Sequence, residues 1–332
     1  MRRLSYYLQF GRGLGRLGFY ARGFAGYYAP RGWFVSRRED VVRALSGEDL
    51  RRAERMAEYY CRLPEGAAVG EPGVTVGEFH YPYGEKHKFA TYFFDLYGVV
   101  RYFPDELRFG YKFGDLREAP AGATFVKSRP IVGEGERSMA TLLRLNALRH
   151  YRWVEPWEDV AFEEKKDMLV SRAVSVQPWR QKLLERWFGD ERCDIGHTAK
   201  EPLREHPEWS KDFLSVAEHL KFKFIATVEG NDVATNLKWV MSSGSLAVMP
   251  RPKVESWFAE GLLRGNEEYV EVKDDFSDLM ERLEFYASHP KEAKEIVEAA
   301  HRYVAPFRDE RLQLATQILT ARRYFELTGQ QL

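Results

Sequence analysis

The residues best suited to chemistry lie in KFKFIATVEGNDVATNLKWVMSSGSLAVMP, residues 221–250. Residues 222–228 are almost wholly apolar, the composition of a central parallel strand. They run into Glu229, Gly230, Asn231 and Asp232 before a predicted helix over 234–241. In open α/β sheets ligands bind outside the carboxyl ends of the strands, so these four residues fall where a nucleotide would sit. Gly230 permits a tight turn and close backbone approach. The helix start near 233–236, which includes Thr235 and Asn236, offers N–H groups and a positive dipole end to a phosphate. Lys238 adds a charge one turn further on. The same residues also have a plainer reading, with Asp232 as an N-cap and Asn231 as a turn residue.

A second cluster, LVSRAVSVQPWRQKLL (169–184), again joins an apolar strand to a helix and carries Arg172 and Arg180. The planar guanidinium fork suits the oxygens of a diphosphate, although either arginine also fits a surface ion pair. The third cluster is FGYKFGDLREAPAGATFVKSRPI (109–131), where Asp115 follows a strand and Gly114. A loop carboxylate facing a cleft can act as general base on a sugar hydroxyl, and Lys127, Ser128 and Arg129 close the same region on the acceptor side. A solvated loop aspartate is the ordinary alternative. No phosphate loop, Gly-x-Ser-x-Gly elbow or His-Glu-x-x-His helix occurs. Asp274 and Asp275 read as a cap for a helix from Phe276. His80, His87, His197 and His219 are scattered like structural histidines, and no metal site is expected.

These clusters need elements to hold them. A helix is predicted over 39–62, a strand over 106–113, where apolar and polar residues alternate, a short strand over 123–126 and a helix over 139–151. The acidic, aromatic segment 153–166 reads as a linker. From 167 onward strands and helices alternate: strands 167–172, 193–195, 222–228 and 245–249, with helices 178–188, 209–220 and 234–241 between them. That alternation argues for parallel pairing through right-handed crossovers, as in a Rossmann-like domain. After a strand at 269–272 the chain turns helical over 276–288, 291–304 and 308–327, with Pro290 and Pro306 at the breaks.

The chain has 332 residues, more than one core usually organises, so two domains are expected. The reading divides it into a basic segment 1–38, a domain 39–160, a domain 161–305 that carries the first two clusters and a C-terminal helix 306–332 that packs back on the first domain. With 44% hydrophobic and 30% charged residues, disorder and fibrous classes are excluded. Fifty basic residues balance fifty acidic ones, so no general field draws in nucleic acid. Charge is uneven, however. Residues 1–38 hold eight arginines, from Arg2 and Arg3 to Arg37 and Arg38, and the first acid is Glu39. Aromatics are interleaved with them, Tyr6, Tyr7 and Phe10 among them, a mixture that suits an anionic membrane surface. The alternative is that the rings pack on the first domain while the arginines face water. No run of eighteen apolar residues occurs. The two cysteines, Cys61 and Cys193, have neither metal spacing nor a disulfide framework, which fits a reducing cytoplasm.

The stretch VEGNDVATNLKWVMSSGSLAVMPRPKVESWF, with FVKSRPI and the Arg172 to Arg180 region, resembles glycosyltransferase family 90, in particular its bacterial lipopolysaccharide and lipooligosaccharide core transferases. More distant relatives are protein O-glucosyltransferases and capsule-associated xylosyltransferases. The resemblance implies a GT-B fold: α/β, two Rossmann-like domains facing across a cleft. It implies a UDP-sugar as co-substrate, a glycolipid or oligosaccharide acceptor, inversion at the sugar carbon and no metal or other cofactor. Matched by position, Asp115 resembles the general base, and Arg172 and Arg180 the diphosphate-contacting arginines. Glu229, Gly230, Thr235, Asn236 and Lys238 resemble the nucleotide turn, and Glu255 and Trp257 the donor-pocket lining. Asn236 departs from the eukaryotic relatives, which carry arginine there. The expected place of action is the cytoplasmic face of the cell membrane. Two alternatives stay open: a protein O-glycosyltransferase, or a UDP-sugar-binding protein without catalysis.

Overall fold

The computed structural model describes residues 12–82 and 89–332, the side chains of 12–14 excepted. Arg2, Arg3, Tyr6, Tyr7, Phe10 and His87 lie outside the described residues. The chain forms two compact units. One holds the residues up to Arg149 together with Val254–Ala259 and Pro306–Leu332, and the other holds His150–Lys253 and Glu260–Ala305.

In the first unit a four-stranded sheet has the order β1, β2, β3, β5, where β1 is Val74–Thr75, β2 Arg108–Lys112, β3 Thr124–Val126 and β5 Ala140–Leu142. β2, β3 and β5 run parallel, and β1 is antiparallel to β2. A separate antiparallel pair joins β4, Ser128–Pro130, to β10, Val254–Ser256. That pairing draws Val254–Ala259 into this unit. Phe109, Phe125 and Leu142 fill the core, each removing an apolar side chain worth about 1.5–3 kcal/mol. The helix Glu310–Leu327 packs on the helix Gly47–Tyr60. Its Tyr324 hydroxyl donates to the Ala123 carbonyl (2.7 Å) and accepts from the Gly110 N–H (3.0 Å). Gly110 is required there, since a Cβ would stand 2.4 Å from the Gly70 carbonyl oxygen.

The second unit is a five-stranded, wholly parallel sheet. Its order is β11, β9, β8, β6, β7, with β6 at Lys166–Ala173, β7 at Cys193–His197, β8 at Phe222–Ala226, β9 at Leu246–Pro250 and β11 at Val270–Val272. β8 is buried along its whole length, as its apolar run requires. Leu169, Ile195, Phe224 and Val248 meet helix residues such as Leu183, Leu279 and Ile296 in one core.

Several elements differ from the sequence expectation. Residues 139–151 form β5 and a short helix, Ala147–His150, because a brief leucine run buried on both faces has no period that separates strand from helix. Residues 39–62 lie in two helices, Arg31–Arg43 and Gly47–Tyr60, parted where Ser46 takes an extended backbone. Residues 209–220 shrink to a 3₁₀ turn, Pro207–Trp209, and a helix, Val216–His219, started by a Ser215–Glu218 capping box. The segment 153–166 carries two 3₁₀ turns and belongs to the second unit, so the chain changes unit ahead of it, after Arg149.

Candidate active-site residues in the two units

Counted along the chain, the second unit's strands stand in the order 2-1-3-4-5 (β7, β6, β8, β9, β11). Strand order reverses between β6 and β8, and a crevice opens outside the carboxyl ends at such a switch point. The two loops there are tied together. Arg180, from the helix Pro178–Trp187, donates through Nε to the Glu229 carbonyl (2.8 Å) and through Nη2 to the Val228 carbonyl (2.8 Å). Its Nη1 reaches the Val174 carbonyl at 2.9 Å. The Gln177 amide donates to Asn231 Oδ1 (2.8 Å), and Trp179 Nε1 to the Glu229 carbonyl (2.9 Å). Gly230 lies under Arg180: a Cβ would come 3.1 Å from Nη2. The Glu229 carboxylate accepts from the Lys253 N–H (2.8 Å), linking the loop after β9 to the same place.

Other residues singled out from the sequence have been turned to other tasks. The helix after this turn starts only at Leu237 and ends at Met241, so 233–236 is a turn and Asp232, 4% exposed, caps no helix. Asn236 donates to the Ala226 carbonyl at 2.9 Å, tethering the turn to the end of β8. Thr235 is half-buried beside it. Lys238 is wholly buried and pairs with Glu260 at 2.5 Å. Arg172 points away from the switch point: it pairs with Asp194 of β7 (2.8 Å) and donates to the Asp212 carbonyl (2.9 Å). Burial pushes the Asp194 carboxyl up, yet bonds from Lys211 and Arg172 prevail and hold it below the usual range.

In the first unit β2 and β3 run parallel, so their carboxyl ends meet at Lys112 opposite Val126. Beyond β2, Gly114 turns the chain with φ +105°, which favours glycine, and presents Asp115. Beyond β3 comes Lys127. The Lys127 ammonium, itself 4% exposed, meets Asp115 Oδ1 at 2.5 Å, while the Asp115 side chain is 40% exposed. Here a buried cation orients a carboxylate that solvent can reach.

Ser128 and Arg129 are fully buried, which removes them from an acceptor surface. Arg129 Nε pairs with Glu255 Oε1 at 2.9 Å, and its other nitrogens donate to the carbonyls of Tyr59, Tyr60 and Ala140. Glu255, equally buried, also accepts from the Tyr59 hydroxyl, and burial together with this carboxylate drives that phenol upward. Trp257 stacks on Tyr60 at 3.9 Å and donates to Gln313. Glu255 and Trp257, which the resemblance assigns to the donor pocket, are therefore members of the first unit, while the Glu229 turn belongs to the second.

Sequence reasoning missed Gln177 and Glu260, while His197 has the structural role read for it. His197 Nδ1 accepts the Ser175 N–H (3.0 Å) and steadies the loop after β6. Nothing in local spacing signals Glu260, which enters only through the fold. Among the described residues no group of three or more His, Cys, Asp or Glu side chains is disposed to hold a metal ion.

The sheet order, and the polar loops joined at its reversal, place the second unit among the doubly wound α/β domains that bind ligands at that point. A family model described as glycosyl transferase family 90 matches residues 163–312, which span that sheet. The O-glucosyltransferase LpsA of Dichelobacter nodosus is 37% identical over 284 residues, 84% of this chain and 85% of its own. Protein 179R of Invertebrate iridescent virus 6 is 30% identical over 97 residues, 27% of this chain and 8% of its own. The chain belongs to glycosyl transferase family 90 and is a glycosyltransferase.

Proposed function

We propose that the protein transfers glucose from UDP-glucose to a hydroxyl of a lipopolysaccharide or lipooligosaccharide core, with inversion, and that its two units work as the two halves of a GT-B enzyme. Glucose is the favoured hexose because the relative that matches most of the chain is named an O-glucosyltransferase. The observation that carries the mechanism is Asp115, an accessible carboxylate oriented by buried Lys127 at the carboxyl edge of a parallel sheet.

In this reading the acceptor hydroxyl gives its proton to Asp115 as its oxygen attacks C1 of the sugar. The new C1–O bond forms on the face opposite the phosphate, the bond from C1 to the diphosphate oxygen breaks, and UDP leaves with that electron pair. The diphosphate lies over Gly230 in the switch-point crevice, where backbone groups and Arg180 meet its charge without proton donation. No metal is assigned a part.

The test is Asp115→Asn, assayed by UDP release with a core acceptor and by UDP binding calorimetry. Transfer should fall at least about a hundredfold, the scale of general-base catalysis, with UDP affinity kept. Near-parental turnover removes Asp115 from this role.

A further inference from the structure

A threonine closed off from water must place its hydroxyl within the protein. Thr124, Thr141, Thr316 and Thr320 are at most 3% exposed, and each one does so. They donate in turn to the Gly122 carbonyl, the Cys61 sulfur, the Leu312 carbonyl and the Thr316 carbonyl. Thr227 differs. It is 0% exposed, yet its Oγ1 has no hydrogen-bond partner in the protein. A helical threonine can reach back to a carbonyl one turn earlier. Thr227 instead directly follows β8 and continues its ladder, its N–H donating to the Val248 carbonyl at 3.0 Å, and a strand offers no such carbonyl.

A buried hydroxyl left bare costs stability that a valine of the same shape would not. Its neighbours Ile225, Ala226 and Val228 are apolar, so valine would also suit the run. The cost falls at one particular place. Thr227 stands at the carboxyl end of the central strand, next to the Val228 carbonyl that accepts from Arg180. Among the described residues one other buried side-chain oxygen lacks a partner, Gln177 Oε1, and it belongs to the other loop of the same switch point. Gln177 enters the same knot of bonds twice. Its amide donates to Asn231 (2.8 Å), and its backbone carbonyl accepts from the Arg180 N–H (3.0 Å).

We infer that the Thr227 hydroxyl is kept bare for the sugar nucleotide and takes up one of its sugar hydroxyls. The inference rests on the donor reading above and adds a binding residue to it. The Gln177 oxygen decides between hydroxyl and phosphate. An amide oxygen only accepts, so a ligand that satisfies this knot must bring hydrogens, and an ionised diphosphate brings none. Ribose and glucose both carry hydroxyls, which can accept from Thr227 and donate to Gln177. Since Thr227 is closed to water without ligand, the contact forms as the donor parts the two loops, whose Gln177–Asn231 tie is exposed.

The experiment compares the full chain with Thr227→Val and Thr227→Ser, in thermal melts and in calorimetry with UDP-glucose and with UDP. T227V removes the hydroxyl and keeps the shape. Without ligand it should melt at the parental temperature or up to about 4 °C above it. It should bind UDP-glucose roughly tenfold more weakly, the scale of one unmade hydrogen bond, while T227S keeps the parental affinity. A loss confined to UDP-glucose assigns the contact to glucose, and an equal loss on UDP assigns it to ribose. A lowered melting temperature in T227V gives the hydroxyl a structural task and overturns the inference. Parental affinity of T227V for both nucleotides overturns it as well, and so does an equal loss on inorganic pyrophosphate, which would put a phosphate there. The donor reading fails separately, by a parent that binds neither UDP nor UDP-glucose, and none of these measurements involves Asp115.

Discussion

Replacing Glu255 by glutamine asks whether the Arg129–Glu255 pair holds the first unit together or serves the acceptor. Both side chains are at 0% exposure, 2.9 Å apart, and they join β4 to β10. Glutamine keeps the shape and can still accept from Arg129 Nε, so the change isolates the negative charge. Removing one partner of a buried pair leaves the other uncompensated, at a cost of about 3–5 kcal/mol. The three carbonyls around the guanidinium remain and soften that cost, which sets the expected loss near the lower bound, about 3 kcal/mol. At about 2–4 °C per kcal/mol for a unit of this size, melting should fall by roughly 6–12 °C. Arg129→Met should cost more, by about 1 kcal/mol for each carbonyl that loses its donor. Combining R129M with E255L should recover part of the loss, because no charge is then buried alone. Thermal melts run beside UDP-release kinetics, well below both transitions, decide the matter. If E255Q melts with the parent while transfer collapses, the structural reading is wrong and the pair belongs to the reaction.

Three further outcomes follow from buried or bridging groups. Burial drives the Asp95 carboxyl up to about 7, while the Ala147 N–H, at 2.8 Å, and Arg144 pull it down. The unfolded chain titrates this group near 3.9, so the folded state binds more protons between those values and stability must fall as pH rises from about 4 to about 7. Asp95→Asn keeps the acceptor without the charge. Its unfolding free energy in urea should draw ahead of the parent's across that window, by about 4 kcal/mol at most, and parallel pH curves would contradict this. Arg180→Ala should weaken UDP binding by roughly ten- to a hundredfold, the scale of charged hydrogen bonds. Lys238→Met should instead lower the melting temperature by stranding Glu260, with UDP affinity unchanged; the reverse ranking by calorimetry would move the diphosphate contact to Lys238.

Much of the second unit was legible because parallel strands buried on both faces announce themselves as continuous apolar runs, 222–228 above all. The strand ends and the turn at Glu229 followed from that. The first unit was less so. Its strands are two to five residues long, too short for a period to show, and the leucines at 142, 143 and 145 fit a helical face as well as a buried strand. The β4–β10 pairing joins positions more than a hundred residues apart, and no local signal carries it, so Glu255 and Trp257 could not be assigned to their unit from sequence. Asp115 was reachable because a glycine beside a strand end is a local feature. Its orientation by Lys127 was not, since that depends on β2 and β3 lying in register.

The basic residues show how far residue type alone misleads. Arg172, Arg180 and Lys238 are equally cationic, lie in or beside strands of one sheet, and each fits a diphosphate by chemistry. The fold separates them by direction. Arg172 leaves β6 toward β7 and meets Asp194, and Lys238 turns into the interior and meets Glu260. Arg180 instead bridges the loops after β6 and β8, on either side of the point where strand order reverses. An anion in that crevice would lie against Arg180 and the Gly230 backbone, whereas reaching Arg172 would first require breaking its ion pair with Asp194, and reaching Lys238 breaking a buried pair with Glu260. Location within the sheet, rather than charge, therefore makes Arg180 the residue on which donor binding should depend.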